Sequence, residues 1–420
     1  MFQLAIIADD LTGAMDTGVQ FAKRGLRTVV SLSDTLPEEA VRDTDIVVLN
    51  TSSRADEPGE ARRKAAACGR YVRALGVARV YKKIDSTLRG NVGPELEGLM
   101  DSWEARAVVM TPAFPAVGRH VIGGLLLIKG VPWEETQYAE GSGRRTSVVA
   151  EVIGTRRPTA TVELTDIEAG EETLAHRLRQ LVEEGASIIV ADAAEPADLA
   201  VIARALARSG LDRVVCGSGG LAEELPGALG IVGRQREPSP RPAGGERPVL
   251  VVAGTVNPVT IQQVRRAQES LGVRVLEVLP AALSRDPEGQ RRRVADACQT
   301  ALRDVRDLVV ASVPLSANVG ATMMARDSAV ASALGPVVAS ALHPGEWAGI
   351  VMTGGDTAIS VCAALGVGVL EIEGEVEPGV PCGRLLQGPL AGLMVVTKAG
   401  GFGSPEAIAK AIRFIRGRTK

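Results

Sequence analysis

Two adjacent carboxylates, Asp9 and Asp10, follow the apolar run Leu4 to Ala8 in the stretch Ala8-Asp-Asp-Leu-Thr-Gly-Ala-Met-Asp16. Neighbouring carboxylates repel unless a cation or a proton-sharing group lies nearby. A tandem pair at a strand end therefore suits a general base for a sugar hydroxyl, or a magnesium contact. A single aspartate there would be a helix cap, a role Thr12 can also fill. A second polar group is Lys82-Lys-Ile-Asp-Ser-Thr-Leu-Arg-Gly-Asn91. Strand alternation sends Lys83 and Asp85 to one face and leaves Ser86, Arg89 and Asn91 in the turn around Gly90. Lysine, serine, asparagine and the planar arginine fork are the donors a small hydroxylated carboxylate needs; the plainer account is a surface ion pair. A third group, Thr111-Pro-Ala-Phe-Pro-Ala-Val-Gly-Arg-His120, is a proline-stiffened loop able to present Arg119 or His120. A lone histidine is more often packed or solvated than functional.

The second half replaces charges with glycines and hydroxyls. Gly254-Thr-Val-Asn-Pro258, Thr353-Gly-Gly-Asp-Thr357 and Lys398-Ala-Gly-Gly-Phe-Gly-Ser404 each follow a β-branched run and precede a helical pattern. Glycines in that position let backbone N–H groups cradle phosphate at the positive end of a helix. One such loop is an ordinary turn; three in one half of the chain point to a nucleotide. No GxxxxGK[ST] is present, which excludes a P-loop enzyme. Asp356 joins Asp10 as a candidate base or metal contact. A further stretch, Cys216-Gly-Ser-Gly-Gly-Leu-Ala222, matches the GxGxxA dinucleotide fingerprint. It closes the first half instead of opening a βαβ unit, and the position about 20 residues on, where a ribose-binding acid belongs, is proline-rich. It reads as a turn, which leaves a dehydrogenase as the weaker alternative.

The elements that must position these residues alternate along nearly the whole chain, short β-branched runs with Ala/Leu/Arg-rich helical stretches, as in parallel α/β folds. Strands are expected at Leu4 to Ala8, Thr28 to Leu32, Ile46 to Asn50, Val80 to Ile84, Ala107 to Thr111, Ser187 to Ala191 and Arg213 to Cys216. Helices are expected at Ala14 to Arg24 and Glu60 to Leu75. Residues 121–172, rich in Gly, Arg and Thr, break the rhythm as an irregular excursion or small extra sheet. Residues 233–248, GRQREPSPRPAGGERP, cannot sustain helix or strand. The strand rhythm then restarts at Val249 to Ala253, Arg274 to Leu279, Asp307 to Val313, Gly349 to Thr353, Val367 to Glu373 and Leu393 to Thr397. The expectation is an α/β chain of two domains, 1–235 and 249–420, joined by a linker at 236–248. Each has a mostly parallel sheet flanked by helices, and the active site lies in the interdomain cleft.

Composition narrows the partners. With 47 Lys plus Arg against 50 Asp plus Glu the formal charge is −3, so there is no basic surplus to bind nucleic acid. Aromatics at 3% leave little for base stacking. No apolar run reaches the ~18 residues of a membrane span. The start MFQLAIIADD lacks a basic leader region, so a cytoplasmic protein is expected. The five cysteines are scattered, without a CxxC pair, and the three histidines lie far apart; neither a disulfide framework nor a dedicated metal site is expected. An apolar helix or edge strand leaves room for a homodimer.

The chain resembles the four-carbon acid sugar kinase family. The resemblance is carried by IADDLTGAMDTGVQFAKRG at 7–25, KKIDSTLRGN at 82–91, TPAFPAVGR at 111–119, GSGGLA at 217–222, AGTVNPVT at 253–260, MTGGDTA at 352–358 and VTKAGGFGSPEAI at 396–408. It implies an N-terminal acid-sugar domain, a C-terminal nucleotide domain, and ATP- and magnesium-dependent phosphorylation of a tetronate or oxo-tetronate at its terminal hydroxyl; a branched oxo acid and a non-catalytic acid-sugar sensor are the alternatives. On this resemblance Asp9, Asp10, Lys83, Asp85, Ser86, Arg89, Gly90, Asn91, Gly118 and Arg119 face the acid sugar. Gly254, Thr255, Thr353, Gly354, Gly355, Asp356, Thr357, Lys398, Gly400, Gly401 and Gly403 face ATP. Two departures stand out. Ala253, Thr255, Val256 and Asn257 replace the family's serine-rich SGSCS loop, and the segment after Tyr138, AEGSGRRTS, is short and arginine-rich.

Overall fold

A computed structural model describes residues 2–37, 40, 43–140, 142–233, 247–255, 257–312 and 327–417. The expected linker, up to residue 246, together with Val256 and Val313, lies outside the described residues. The chain divides into two compact units, Met1–Gln235 and Arg236–Lys420.

In the first unit the main strands are β1 (Leu4–Ala8), β2 (Thr28–Ser31), β3 (Ile46–Asn50), β4 (Val80–Lys83) and β5 (Val108–Thr111). A small antiparallel sheet follows, β6 (Arg119–Ile122), β7 (Leu125–Ile128) and β8 (Val131–Pro132), and then β9 (Thr159–Val162), β10 (Ile188–Ala191) and β11 (Val214–Gly217). The main sheet runs β2-β3-β1-β4-β11-β5-β10-β9, parallel throughout. β1, β3 and β4 are buried at every position, as strands covered on both faces must be, and so read as unbroken apolar runs. Winding reverses between β1 and β4, where Ala8 lies opposite Lys83. At such a switch point the two crossovers leave on opposite faces and open a crevice beyond the strand ends. Register also puts Asn50 beside Ala8, and Gly217 beside Lys83 and Thr111.

The helix Leu11–Ala22 starts earlier than its sequence period suggests. Asp10 caps it by accepting a 2.7 Å hydrogen bond from the Gly13 N–H, so Asp10, and not Thr12, is the N-cap. The excursion at 121–172 holds most of the small sheet, and also β9, which joins the main sheet. Gly123 and Gly124, both at positive φ, make the two-residue turn between β6 and β7. The buried carboxylate of Asp192 accepts both of their N–H groups, at 2.6 and 2.8 Å.

The second unit contains β12 (Val249–Ala253), β13 (Arg274–Glu277), β14 (Leu308–Ala311), β15 (Gly349–Thr353), β16 (Val369–Glu377), β17 (Val380–Leu385) and β18 (Met394–Lys398), in the order β13-β14-β12-β15-β18-β17-β16. Its switch point lies between β12 and β15, where Ala253 sits opposite Thr353. The strand expected at Val367 to Glu373 is longer and is half of an antiparallel hairpin, since β17 pairs antiparallel with β16 and β18. Gly379, at φ +78°, makes its turn. A core of Val249, Val251, Val309, Val351, Val396, Ile408 and Ile412 ties the parallel strands to the helix Ala407–Ile415.

Candidate active site

At the β1/β4 switch point the tandem carboxylates share one cation that the motifs do not contain. Arg54, on the loop after β3, forms a bidentate pair with Asp9 (Nε–Oδ2 2.7 Å, Nη2–Oδ1 2.8 Å) and reaches Asp10 Oδ2 with Nη1 at 2.5 Å. The side chain of Asp9 is 4% exposed and that of Asp10 25%. Burial alone would raise both carboxyls; at Asp9 the Arg54 guanidinium, with Lys82 and Lys83, outweighs it and holds the group below the usual carboxylate range. At Asp10 burial wins over Arg54, and the neighbouring Asp9 charge adds to it, so this carboxyl sits above its ordinary value. Lys83 stands beside Asp10: a Cβ on Gly13 would lie 2.7 Å from Asp10 Oδ1 and 3.1 Å from Lys83 Nζ.

Asp85 accepts hydrogen bonds from Thr87 Oγ1 at 2.6 Å and from Arg89 Nε. Burial opposes its ionisation, but Arg89, Arg54 and Thr87 hold it strongly ionised. Arg89 uses only Nε on the protein; among the described residues its two terminal amino groups have no hydrogen-bond partner, and its side chain is 51% exposed. Tyr138 lies against the other side of this group, its ring centroid 5.8 Å from Arg89 Cζ. Ser86 is half-buried and makes no side-chain hydrogen bond among the described residues. Gly90 passes Asp9 closely at φ +91°, where a Cβ would sit 3.1 Å from Asp9 Oδ2. Beneath the site Lys82 and Glu95 form a fully buried pair at 2.7 Å, with Ser53 Oγ donating to the same carboxylate at 2.8 Å.

Three residues expected here hold the scaffold. Asn91 donates to the backbone carbonyls of Ser53 and Asp56 at 3.1 and 2.8 Å, tying the Arg54 loop to the start of the helix Val92–Trp103. Arg119 folds back on Val117 O, and Gly118, at φ +75°, packs on Lys129; the described bonds and ion pairs do not link either to the carboxylate cluster. His120 Nδ1 pairs with Ala194 O at 2.9 Å. The GxGxxA match is a packing motif. A Cβ on Gly217 would meet Tyr81 Oη at 2.6 Å, on Gly219 Asp16 Oδ2 at 2.9 Å, and on Gly220 Ala113 O at 2.9 Å. Ser218 donates to Ala113 O at 2.7 Å and caps the helix Gly219–Ala228. Glycine is required there by neighbours inside the unit, without any dinucleotide.

In the second unit the glycine loops after β12, β15 and β18 pack on one another. A Cβ on Gly254 would lie 2.1 Å from Thr357 Oγ1, and one on Gly400 2.7 Å from Thr255 Oγ1. Gly354, at φ +93°, approaches both Thr357 and Thr255, and Gly401 approaches Asn257. The helix Pro258–Leu271 is capped by Asn257, whereas among the described residues Gly355–Ala364 has no side-chain cap. Its first amides are therefore free for an anion, with Asp356 exposed beside them. Lys398 turns inward, donating to Ala399 O at 2.7 Å, Gly400 O at 3.3 Å and Thr260 Oγ1 at 3.2 Å. Burial brings its pKa down to about 7 against the pull of Glu377. Gly403, at φ +84°, passes Glu377 closely, and Glu377 accepts the Ser404 N–H at 2.6 Å. Among the described residues, the buried hydroxyls of Thr353 and Thr397 have no hydrogen-bond partner.

Residues 4–225 match a sugar-binding N-terminal domain and residues 250–408 a nucleotide-binding C-terminal domain. The chain is 35% identical to a D-threonate kinase of Salmonella typhimurium, covering 98% of each chain. It is 30% identical to a D-erythronate kinase of Heliobacterium modesticaldum (99% of this chain, 97% of the other). The same identity holds for a 3-oxo-tetronate kinase of Methylobacterium radiotolerans (97% and 98%). In fold it resembles a Salmonella typhimurium LT2 crystal structure described as a putative tRNA synthase, with a TM-score of 0.80 at 24% identity over 99% of both chains.

Proposed function

The chain belongs to the four-carbon acid sugar kinase family, and from that premise we propose that it transfers the γ-phosphoryl group of ATP to the terminal hydroxyl of a four-carbon acid sugar, D-threonate being the first candidate. The observation that carries this reading is the pair of switch points. One is lined by Asp9, Asp10, Arg54, Lys83 and Asp85, the other by three interlocked glycine loops and an uncapped helix start.

In this reading Arg89 presents its free terminal nitrogens to the substrate carboxylate, and Ser86 and Lys83 bind hydroxyl oxygens. Asp10 takes the proton of the attacking hydroxyl: it is the more exposed carboxylate, and its affinity for protons is raised. Asp9, held by two arginine nitrogens, keeps Arg54 and hence Asp10 in place. The first amides of the helix Gly355–Ala364 bind phosphate oxygens. Gly254, Thr255, Gly400 and Gly401 shape the nucleotide pocket around them, and Lys398 braces it from behind. Exclusion of water during transfer protects ATP from hydrolysis.

Magnesium fits this donor set. The exposed carboxylate of Asp356, beside the uncapped helix start, would hold the ion, since magnesium is usually bound by one or two carboxylates together with substrate phosphates. When bound, the ion would neutralise charge on the transferring phosphoryl group. Among the described residues no helix is long and apolar enough to cross a membrane.

The test is ADP release with ATP and magnesium against D- and L-threonate, D-erythronate, their oxo forms and a branched oxo acid. Selective turnover of a four-carbon acid supports the reading. No turnover across the panel, with ATP binding intact by calorimetry, rejects it.

A further inference from the structure

The segment Trp133 to Ala139 leaves the small sheet and returns over the turn that carries Arg89. Trp133 is almost wholly buried, and its Nε1 donates to Thr87 O at 2.7 Å, inside the Asp85–Arg89 turn. From that anchor the segment winds through successive short bonds: Thr136 Oγ1 to Trp133 O at 2.7 Å, then Ala139 N to Thr136 O at 3.1 Å. This delivers the Tyr138 ring to the Arg89 guanidinium, 5.8 Å from Cζ to centroid. The turn itself cannot fix the arginine. Leu88 is held at φ +56°, a strained position for leucine, while Gly90 takes φ +91° freely; the Arg89 side chain is half exposed with, among the described residues, a single protein bond through Nε.

We propose that Tyr138, anchored through Trp133, is a positioning residue that holds the Arg89 fork toward the acid group of the substrate, and so sets the enzyme's affinity for the acid. The proposal rests on the reading above, in which Arg89 binds the carboxylate. Asp85 fixes one edge of the guanidinium and the Tyr138 face fixes its plane, leaving the two terminal amino groups for a bidentate contact. Without the ring, the fork rotates about the Asp85 bond and must be ordered by each incoming substrate.

The test is steady-state kinetics of Tyr138→Ala, Tyr138→Phe, Arg89→Ala and the double variant Arg89→Ala/Tyr138→Ala, with the acid sugar and ATP varied in turn. A cation–π contact of this class corresponds to about a 2- to 30-fold change. Tyr138→Ala is expected to raise KM for the acid by that factor, with kcat, KM for ATP and the thermal midpoint unchanged. Tyr138→Phe should restore it, and the double variant should be no worse than Arg89→Ala alone. An unchanged acid KM in Tyr138→Ala while Arg89→Ala raises it overturns the positioning role and leaves the carboxylate assignment standing. An unchanged acid KM in Arg89→Ala overturns that assignment, and the proposal with it. Failure of Tyr138→Phe to restore the acid KM overturns the role assigned to the ring.

Discussion

Arg54 touches Asp9 through two nitrogens and Asp10 through one, and in the proposed reading this asymmetry makes Asp9 the anchor and Asp10 the base. Asp10→Asn keeps an acceptor for the Gly13 cap but cannot take a proton, so kcat is expected to fall by ~10²-fold or more, the usual worth of a general base, with KM for ATP unchanged. An undiminished kcat would remove Asp10 from the chemistry. Because burial lifts the Asp10 carboxyl, the acid limb of kcat/KM should lie above the ~3.9 of a free aspartate, and it should vanish in Asp10→Asn. Arg54→Lys retains the charge but not the planar fork; it is expected to cost activity as Asp10→Asn does, because a lysine cannot hold Asp9 through two nitrogens while a third reaches Asp10. Asp9 and Asp10 are legible in the sequence because they follow an obvious strand, and the same rule after Ile46–Asn50 leads to Thr51-Ser-Ser-Arg54. That loop looked like any polar turn, since nothing local marks an arginine whose partners lie more than forty residues away in the chain. Lys82 lies inside the Lys82–Asn91 motif and Glu95 on the helix that follows it, but nothing in the sequence marks the two as a buried pair.

At the scale of elements, the glycine loops of the second unit make a testable distinction between packing and permissive turns. Gly254→Ala places a methyl 2.1 Å from Thr357 Oγ1, so two of the three loops must separate, at about 1–3 kcal/mol for overpacking. ATP affinity is expected to fall about tenfold or more with acid-sugar affinity unchanged, both read by calorimetry. Gly59→Ala, at an exposed helical site with nothing within 4 Å, is the control and should be neutral or stabilising by about 0.4–1 kcal/mol. Lys398 gives the pH counterpart. Its folded pKa of about 7 lies below the ordinary 10.5 of a lysine, so between those pH values the unfolded chain binds more protons and stability rises with pH. The thermal midpoint of the wild type should climb from pH 7 to 9 relative to Lys398→Met; parallel curves would show that the lysine does not titrate there. The three loops were legible because glycine after a β-branched run is a local signal. The β16–β17 hairpin was not, because Pro381 and Gly383 disguise its second strand, and Glu371, Glu373 and Glu375 interrupt the apolar pattern of the first.

For the whole molecule, the alternating rhythm made two parallel α/β units readable, since strands buried on both faces are apolar from end to end. The order of strands was not readable, because register and winding depend on contacts between distant segments. Strand order is what makes the motifs meaningful: it puts the Asp9–Asp10 loop next to Lys83 and the Gly254 loop next to Gly354, each at the one place in its sheet where a crevice must open. If the two switch points are separate binding sites, each ligand should protect only its own set of loops. Hydrogen exchange with D-threonate alone is then expected to slow around residues 9–13, 51–56 and 83–91, and with ATP and magnesium alone around 253–260, 353–358 and 398–404. Protection of the first set by ATP alone would move the nucleotide into the N-terminal unit and reverse the division of labour. Protection confined to the predicted sets, lost selectively in Arg89→Ala for the acid and in Gly254→Ala for ATP, would establish that each unit recognises its substrate by itself. The units then need each other only for the transfer step.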